Sequence, residues 1–263
     1  MVFCMAGNDT LPGASIQQFQ TTQTPTTKTG AFSMSMHIPH WSKGVWDARN
    51  TLPVGKVHVW RFDLEQEPRT GMALLSSEEQ ARFDAIRRPA AARRYLNTRI
   101  QLRRILASYL DQPPDTLRFI IATGGKPELE HRPLQFNLSH SHELGLLGIS
   151  TQLPLGVDVE KIRNPKYASS IARRMFSPDI QKQLSALRGN DRQRLFFQQW
   201  TAMEARQKAL GRGIFEAPVA PEAMHCQHFI MDEGFIAALA TVSSHEKPLL
   251  QFFNSPTTAY DAA

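Results

Sequence analysis

The chain has 263 residues, 30 Lys and Arg against 24 Asp and Glu, and a formal net charge of +6 at pH 7. This length can bury a substantial core, either as one large domain or as two halves. The two cysteines, Cys4 and Cys226, are too few for a disulfide framework, and no CxxC or Cys/His cluster indicates zinc. No apolar run is long enough to cross a membrane and no signal peptide is visible, so we expect a cytoplasmic protein without a membrane partner.

The first 53 residues differ in composition from the rest of the chain. Residues 15–36 are rich in Thr, Gln and Ser and show no apolar period, which predicts disorder or poor order. We therefore expect residues 1–53 to form an N-terminal extension. Ordered structure is expected to begin at residues 56–62, whose alternating pattern predicts a strand.

Two similar series of elements follow this extension. The first contains a helix capped by Ser76, a long helix over 90–110, and strands over 117–121 and 144–149. The second contains a strand at 156–160, helices over 178–187 and 192–210, and a hairpin formed by 229–231 and 235–241. This parallel order predicts an internal duplication, with halves at 54–153 and 154–255 and a tail at 256–263.

The long helix over 90–110 carries many arginines. Such a run is usually a solvated face, but Arg99 and Arg103 lie four residues apart and share a side, which suits a phosphate contact. The positive charge predicts a polyanionic partner, of which nucleic acid is the default example. Because no helix-turn-helix or zinc-finger pattern is present, we expect no nucleic-acid partner.

Two short segments carry most of the predicted chemistry. In Gly156-Val157-Asp158-Val159-Glu160, the alternation predicts a strand with both acids on one face. In the predicted helix 192–210, Glu204 and Lys208 lie four residues apart on one side. A strand packed on this helix would bring three carboxylates and one ammonium together, which suits Mg²⁺ on a pyrophosphate.

Each segment also has an ordinary structural explanation. An Asp-x-Glu pair on a strand is more often a solvated edge than a metal site, and Glu and Lys four apart on a helix are usually a surface ion pair. The side chains of Phe196, Phe197 and Trp200 are predicted to be core residues rather than part of a ligand site. The order of the surrounding motifs favours the functional interpretation.

Five motifs occur in a fixed order between residues 82 and 215. They are Gly125-Lys126-Pro127, the segment 136–141 (FNLSHS), the segment 156–160 (GVDVE), Phe176-Ser177, and a WxxxEAxxKxxGxG pattern that starts at Trp200. In this order they resemble the 4′-phosphopantetheinyl transferase superfamily, of the type that activates surfactin synthetase. The resemblance covers about half the chain.

The resemblance implies an α+β pseudo-dimer of two similar halves with coenzyme A in the cleft between them. It implies a secondary-metabolism transferase that moves the 4′-phosphopantetheine group of coenzyme A to a serine of an apo acyl, polyketide or peptidyl carrier protein. The implied metal ligands for Mg²⁺ are Asp158, Glu160 and Glu204. The implied contacts of coenzyme A are Arg103, Lys126, Ser139, His140 and Lys208, with Glu204 and Lys208 also taking part in catalysis. We expect a monomer.

Two positions depart from the family pattern. Met203 stands where the family usually has Lys directly before the helical Glu, and Ile180 stands where it commonly has Glu. Neither side chain can exchange a proton with the carrier serine. Asp179 is a candidate base in their place, although an acid after Ser177-Pro178 also suits a helix N-terminus.

Two other functions agree with parts of this pattern. A non-catalytic relative that binds coenzyme A or a carrier protein would explain Met203 and Ile180. A metal-dependent hydrolase of phosphate esters would use the three acids alone, but it leaves Lys126 and the segment 136–141 unexplained.

Overall fold

The computed structural model describes residues 36–45, 49–66, 71–122, 124–165, 167–213, 224–231, 234–242 and 247–256. The helices in these ranges are α1 (Ser77–Asp84), α2 (Pro89–Leu110), α3 (Ala168–Met175), α4 (Pro178–Ala186) and α5 (Gly189–Ala209). The strands are β1 (Trp41–Lys43), β2 (Lys56–Asp63), β3 (Phe119–Ile121), β4 (Pro127–Leu129), β5 (Gln135–Ser141), β6 (Leu144–Ser150), β7 (Leu155–Lys161), β8 (His225–Ile230), β9 (Phe235–Thr241) and β10 (Leu249–Asn254).

The strands form two main sheets and one small hairpin. The larger sheet has the order β1-β10-β2-β6-β5, with β1, β10 and β2 parallel and the remaining neighbours antiparallel. The second sheet, β7-β9-β8, is antiparallel throughout, and β3 pairs with β4. The fold is therefore a mixed α and β structure.

Apolar faces of both sheets share one core. Val57 and Leu146 of the larger sheet pack with Val157, Val159 and Leu239 of the second sheet, and all five are buried. This cluster fixes β5 and β7, which are edge strands of their own sheets, beside each other. The cleft between these two edges is where the polar residues of the two sheets meet.

The two long helices cover the outer faces of the sheets. Leu102, Ile105 and Leu106 of α2 pack on Trp60 and Leu147 of the larger sheet. On the second sheet, small side chains meet small side chains: Ala202, Ala205 and Ala209 of α5 contact Ala238 and Ala240 of β9. Since alanine adds little thickness, α5 lies very close to the strands beneath it.

Most predicted elements are confirmed. The strand expected at 56–62 is β2, the long basic helix is α2, and the helices expected at 178–187 and 192–210 are α4 and α5. Ser76 caps α1 through a reciprocal arrangement in which its hydroxyl accepts from the Glu79 N–H and the Glu79 carboxylate accepts from the Ser76 N–H. The predicted hairpin is the antiparallel pair β8 and β9; residues 232–233 of its turn lie outside the described residues.

The expected start of ordered structure at residue 56 is wrong. Strand β1 precedes it and pairs in parallel with β10, and its Trp41 packs edge-on against Phe252 with ring centroids 5.2 Å apart. Arg61 lies over the same indole ring at 4.5 Å. A strand of three residues has too few positions to show alternation, so no periodic signal marks β1 in the sequence. Residues 1–35 of the expected extension lie outside the described residues.

Strand β10 also departs from the expected division. It was assigned to the half at 154–255, yet it pairs with β2 along six residues of the larger sheet. Leu250 and Phe252 place apolar side chains against the shared core, which gives the pairing its stability. One strand of the expected half at 154–255 therefore belongs to the larger sheet, which also contains strands of the half at 54–153. No helix in the described ranges has the length and apolarity required to cross a lipid bilayer.

Candidate active site

Strand β7 and helix α5 approach each other at Gly156. A β-carbon at this position would lie 2.1 Å from the Ala205 carbonyl oxygen and 2.4 Å from the Ala209 backbone nitrogen. Only glycine permits this approach without a shift of the backbone. The contact brings the acidic face of β7 directly under the side of α5 that carries Glu204 and Lys208.

Four side chains meet at this contact and form what we call the ionic centre: Ser139, Asp158, Glu204 and Lys208. The Lys208 ammonium lies 2.5 Å from Asp158 Oδ1 and 3.4 Å from Glu204 Oε2, and it donates to Ser139 Oγ at 3.2 Å. Ser139 Oγ in turn donates to Asp158 Oδ1 at 2.9 Å. The Lys208 side chain is 23% exposed, and that of Asp158 is 4% exposed.

Burial and mutual repulsion shift the pKa values of these groups. Burial raises the pKa of Asp158, and the neighbouring Glu160 adds to the rise while Lys208 and Ser139 oppose it. Burial, reinforced by the charge of Asp158, raises the pKa of Glu204 to about 7 against the opposing effect of Lys208. Burial alone would lower the pKa of Lys208, but Asp158 and Glu204 outweigh it and raise the pKa.

The carboxylates fit a hard cation. Among the described residues, Asp158 Oδ2 is a buried oxygen that accepts no hydrogen bond, although burial of an unsatisfied charged group is costly. Asp158 lies close enough to Glu204 for its negative charge to raise the pKa of Glu204. An Mg²⁺ ion takes oxygen ligands and would satisfy the free oxygen while relieving this repulsion.

The third predicted acid, Glu160, has other partners. Its Oε2 atom accepts from Ser141 Oγ at 2.9 Å and forms an ion pair with Arg163 at 3.0 Å. Within the described ranges, no three His, Cys, Asp or Glu side chains converge as a metal cluster. The structure therefore brings two of the three predicted acids into the ionic centre and places the third beside it.

Lys126 reaches the same cleft from the other side. Gly124 and Gly125 both have positive φ, and a β-carbon on Gly124 would lie 2.1 Å from the Gly211 carbonyl oxygen at the end of α5. The predicted tight turn before Lys126 is thus confirmed. The Lys126 ammonium donates to the Leu155 carbonyl oxygen at 3.0 Å, and burial lowers its pKa.

His140 lies near several positive charges. Because side chains alternate along β5, His140 faces away from the side that carries Ser139. Burial lowers the pKa of His140, and the charges of Lys208, Arg94 and Arg99 lower it further. Each of these cations also has an acidic partner: Arg94 pairs with Glu65, Arg99 with Glu79, and Lys208 with Asp158 and Glu204.

Arg103, predicted to contact the 3′-phosphate, is engaged inside the protein in this structure. Its guanidinium is 1% exposed and pairs with Glu79 through Nε and Nη2, both at 2.8 Å from Oε2. Its Nη1 donates to the carbonyl oxygens of Pro114 and Leu117. All three nitrogens have acceptors inside the protein. Through these bonds Arg103 links α2 to α1 and to the segment before β3.

The two departures from the family pattern occupy ordinary positions. Met203 is buried at 8% exposure on α5, directly before Glu204. Ile180 is half-buried in the first turn of α4, and its N–H donates to the capping Ser177 hydroxyl. Asp179 is exposed in the same turn, where its charge complements the helix N-terminus. The core assignment of Phe196, Phe197 and Trp200 is confirmed, since all three are buried.

Sequence reasoning missed three polar residues at the cleft. Asn137 Oδ1 accepts from the Val157 N–H at 2.9 Å, Ser141 bonds Glu160, and Arg163 pairs with Glu160. Asn137, Ser139 and Ser141 stand at every second position of one motif. This spacing could have indicated that they share a face of the strand.

Comparisons with known proteins match this site to one family. A family model described as the 4′-phosphopantetheinyl transferase superfamily matches residues 154–237, which include β7 and α5. The chain is 38% identical over 172 residues to HetI, a 4′-phosphopantetheinyl transferase of Nostoc sp., covering 62% of this chain and 72% of HetI. It is 25% identical over 151 residues to Sfp, a 4′-phosphopantetheinyl transferase of Bacillus subtilis, covering 57% of this chain and 66% of Sfp.

A third relative is the Synechocystis sp. protein slr0495, whose name assigns it provisionally to the 4′-phosphopantetheinyl transferases. The chain is 44% identical to it over 145 residues. This match covers 54% of this chain and 59% of the relative.

Proposed function

This chain belongs to the 4′-phosphopantetheinyl transferase superfamily, and we propose that it transfers the 4′-phosphopantetheine group of coenzyme A to a serine of an apo carrier protein. Enzymes of this family act on carrier proteins with coenzyme A and generally use a divalent metal. The observation that carries the proposal is the ionic centre. It places the Lys208 ammonium between the carboxylates of Asp158 and Glu204, whose side chains are 4% and 13% exposed.

The reaction is a phosphoryl transfer. The serine Oγ of the carrier attacks the β-phosphorus of coenzyme A, the bond from that phosphorus to the bridging oxygen breaks, and 3′,5′-ADP leaves with the bonding electrons. The serine proton passes to a base. Catalysis of this kind depends mainly on positioning and on stabilisation of charge. Lys208, held in place by Asp158, Glu204 and Ser139, supplies a fixed positive charge for the pyrophosphate.

The acids are proposed to hold Mg²⁺. Asp158 and Glu204 lie in the ionic centre, and Glu160 lies two residues further along the same face of β7. When bound, Mg²⁺ would neutralise the charge that develops on the 5′-phosphate of the departing 3′,5′-ADP. The free Asp158 Oδ2 atom supports this assignment.

The 3′-phosphate and adenosine end of coenzyme A are proposed to contact Lys126, Ser139 and His140. Arg99 takes the role that was expected of Arg103. It lies one turn earlier on the same helix, its side chain is 19% exposed, and its charge acts on His140. Its ion pair with Glu79 is longer, at 3.6 Å, than the contact of Arg103 with the same carboxylate.

Asp179 remains the proposed base for the carrier serine. It is the exposed acid next to the position where the family commonly has Glu, and Met203 cannot accept a proton. Its exposure in α4 leaves the carboxylate accessible to a bound carrier.

The finer assignments are also proposals. The recurrence of strands followed by helices in 54–153 and 154–255 supports a pseudo-dimer with coenzyme A between its halves. The five ordered motifs support the surfactin-synthetase-activating type. We further propose that the protein acts as a cytoplasmic monomer and takes no nucleic acid as substrate.

The experiment is intact-protein mass spectrometry of apo carrier proteins from acyl, polyketide and peptidyl systems, incubated with the protein, coenzyme A and Mg²⁺. The proposal predicts a gain of one phosphopantetheine group that EDTA and Glu204→Ala abolish. Glu143→Ala is a matched control, since this acid pairs with Lys161 at the surface. No gain with any carrier would contradict the proposal.

Met203 supports one alternative, a relative that binds coenzyme A or a carrier protein without catalysing transfer. Met203→Lys separates the two functions. If the protein is a transferase that uses another base, the transfer rate of Met203→Lys is close to that of wild type. If the protein has lost its catalytic lysine, Met203→Lys raises the transfer rate strongly.

A further inference from the structure

The two sheets meet without a continuous backbone ladder. Among the described residues, strand β5 pairs only with β6 and β7 pairs only with β9, so each presents an unpaired edge to the other. Unpaired strand edges within a protein must be satisfied in another way, because buried N–H groups are costly without acceptors. The edges face each other across the cleft that holds the ionic centre.

Side chains of β5 take the place of the missing ladder. Asn137, Ser139 and Ser141 occupy alternate positions and therefore point to the same side. Ser139 Oγ donates to Asp158 Oδ1, and Ser141 Oγ donates to Glu160 Oε2, both at 2.9 Å. Ser141 Oγ also accepts from the Lys161 N–H at 3.2 Å. Each proposed metal ligand of β7 thus receives a hydrogen bond from β5.

Asn137 differs from the two serines in what it bonds. Its Oδ1 atom accepts from the Val157 backbone N–H at 2.9 Å, and its side chain is buried at 6% exposure. It therefore fixes the main chain directly before Asp158 rather than a carboxylate. On the other side, the backbone of α5 presses on Gly156, so the strand is held from two directions immediately before the acids.

We propose that Asn137 is a positioning residue for the metal ligands of β7. It acts through the backbone of Val157, which sets where Asp158 lies relative to Lys208 and Glu204. This inference rests on the proposed function only in taking Asp158 as a metal ligand. Residues that hold the ligands of a metal typically change its affinity by about 10- to 100-fold when they are removed.

The test compares Asn137→Ala with Asn97→Ala. Asn97 lies on α2 and is also buried, and its amide donates to the carbonyl oxygens of Leu64 and Gln66, which follow β2. Isothermal titration with Mg²⁺ at saturating coenzyme A measures the metal affinity of each variant, and thermal unfolding measures stability. This readout requires no carrier protein, so it is independent of whether transfer occurs.

We expect Asn137→Ala to bind Mg²⁺ roughly 10-fold more weakly, while Asn97→Ala loses stability but keeps its Mg²⁺ affinity within about twofold. If Asn137→Ala does not fold, Asn137→Ser retains an acceptor on a shorter side chain and is expected to show a smaller loss in the same direction. Unchanged Mg²⁺ affinity in the folded Asn137 variant would overturn the inference. An equal loss in Asn97→Ala, or no Mg²⁺ binding by the wild-type protein, would overturn it as well.

Discussion

Gly156 on β7 and Ala205 on α5 are in direct backbone contact, since a β-carbon on Gly156 would lie 2.1 Å from the Ala205 carbonyl oxygen. The predicted strand and helix become a site only because this contact lets them approach. Asp158 and Lys208 then meet with their charged atoms 2.5 Å apart.

Gly156→Ala is expected to force β7 and α5 apart. The added methyl group meets backbone atoms that cannot rotate away, so the variant should lose roughly 1–3 kcal/mol of unfolding free energy, as overpacking typically costs. It should also lose transferase activity because the ionic centre widens. Urea unfolding together with the carrier mass assay measures both effects.

Gly55→Ala is the control for that substitution. Gly55 has a φ of +80° with nothing within 4 Å of an added β-carbon, so only backbone strain of about 1 kcal/mol is expected. Activity equal to wild type in Gly156→Ala would show that the close approach does not set the site.

Lys208→Met removes the only ammonium that bonds both Asp158 and Glu204 among the described residues. Because two buried carboxylates then lose their counter-ion, we expect a loss of about 3 kcal/mol in stability and loss of transfer. Lys161→Met breaks an exposed pair with Glu143 and should cost under about 1 kcal/mol. Denaturant unfolding and the carrier assay distinguish the two sites, and a similar small effect in both variants would refute a buried ionic centre.

Arg103→Met tests the corrected role of Arg103. Its ion pair with Glu79 is buried, so removal should lower stability by roughly 3 kcal/mol while the KM for coenzyme A changes little. Arg99→Gln should show the opposite pattern, with a higher KM for coenzyme A and a small change in stability. Steady-state kinetics with varied coenzyme A, combined with thermal unfolding, measures both. A raised KM in a folded Arg103 variant would restore the original expectation.

Acid should destabilise the protein through two buried histidines. Burial lowers the pKa of His58 to about 4, and burial together with the charge of Arg206 lowers the pKa of His228 to about 4. At these two positions the unfolded chain, with ordinary histidine pKa values, binds more protons between pH 4 and 6.5, so the stability contributed by the two histidines falls as the pH falls through this window. Each histidine contributes about 1–2 kcal/mol of the loss between pH 7 and pH 5.

His58 explains the sign of this effect. Trp60 Nε1 donates to the Tyr109 hydroxyl at 2.9 Å, and that hydroxyl lies 2.7 Å from His58 Nδ1, a nitrogen that can accept a hydrogen bond only while the ring is neutral. A protonated ring would lose this acceptor role.

Urea unfolding of His228→Asn at pH 7 and pH 5 should show a smaller difference in unfolding free energy between the two pH values than wild type shows. An equal difference in both proteins would rule out His228 as a contributor.

Much of this architecture follows from local sequence patterns. Alternation identified β2 and β7, capping chemistry identified the start of α1, and helical spacing placed Glu204 and Lys208 on one side of α5. These signals are local because each depends only on the residues within or next to one strand or helix. The strand β1 and the pairing of β10 with β2 are long-range features that no local period encodes.

The site shows the same limit. Motif order identified Asp158 and Lys208. Helical spacing within α2 could not reveal that Glu79, on α1, forms an ion pair with the guanidinium of Arg103. Ser141, which bonds Glu160, also comes from a tertiary contact because it lies on a different sheet. Residue types and spacing predict which groups are available, and the packing decides which of them meet.

The most direct test of the account is the amount of 3′,5′-ADP formed per carrier protein modified, measured by chromatography and intact mass in one reaction. The account predicts one 3′,5′-ADP for each phosphopantetheine group attached, and none when the carrier, Mg²⁺ or Lys208 is removed. Nucleotide release without a carrier would indicate hydrolysis of coenzyme A. That result, or the absence of any modified carrier, would contradict transfer at the ionic centre.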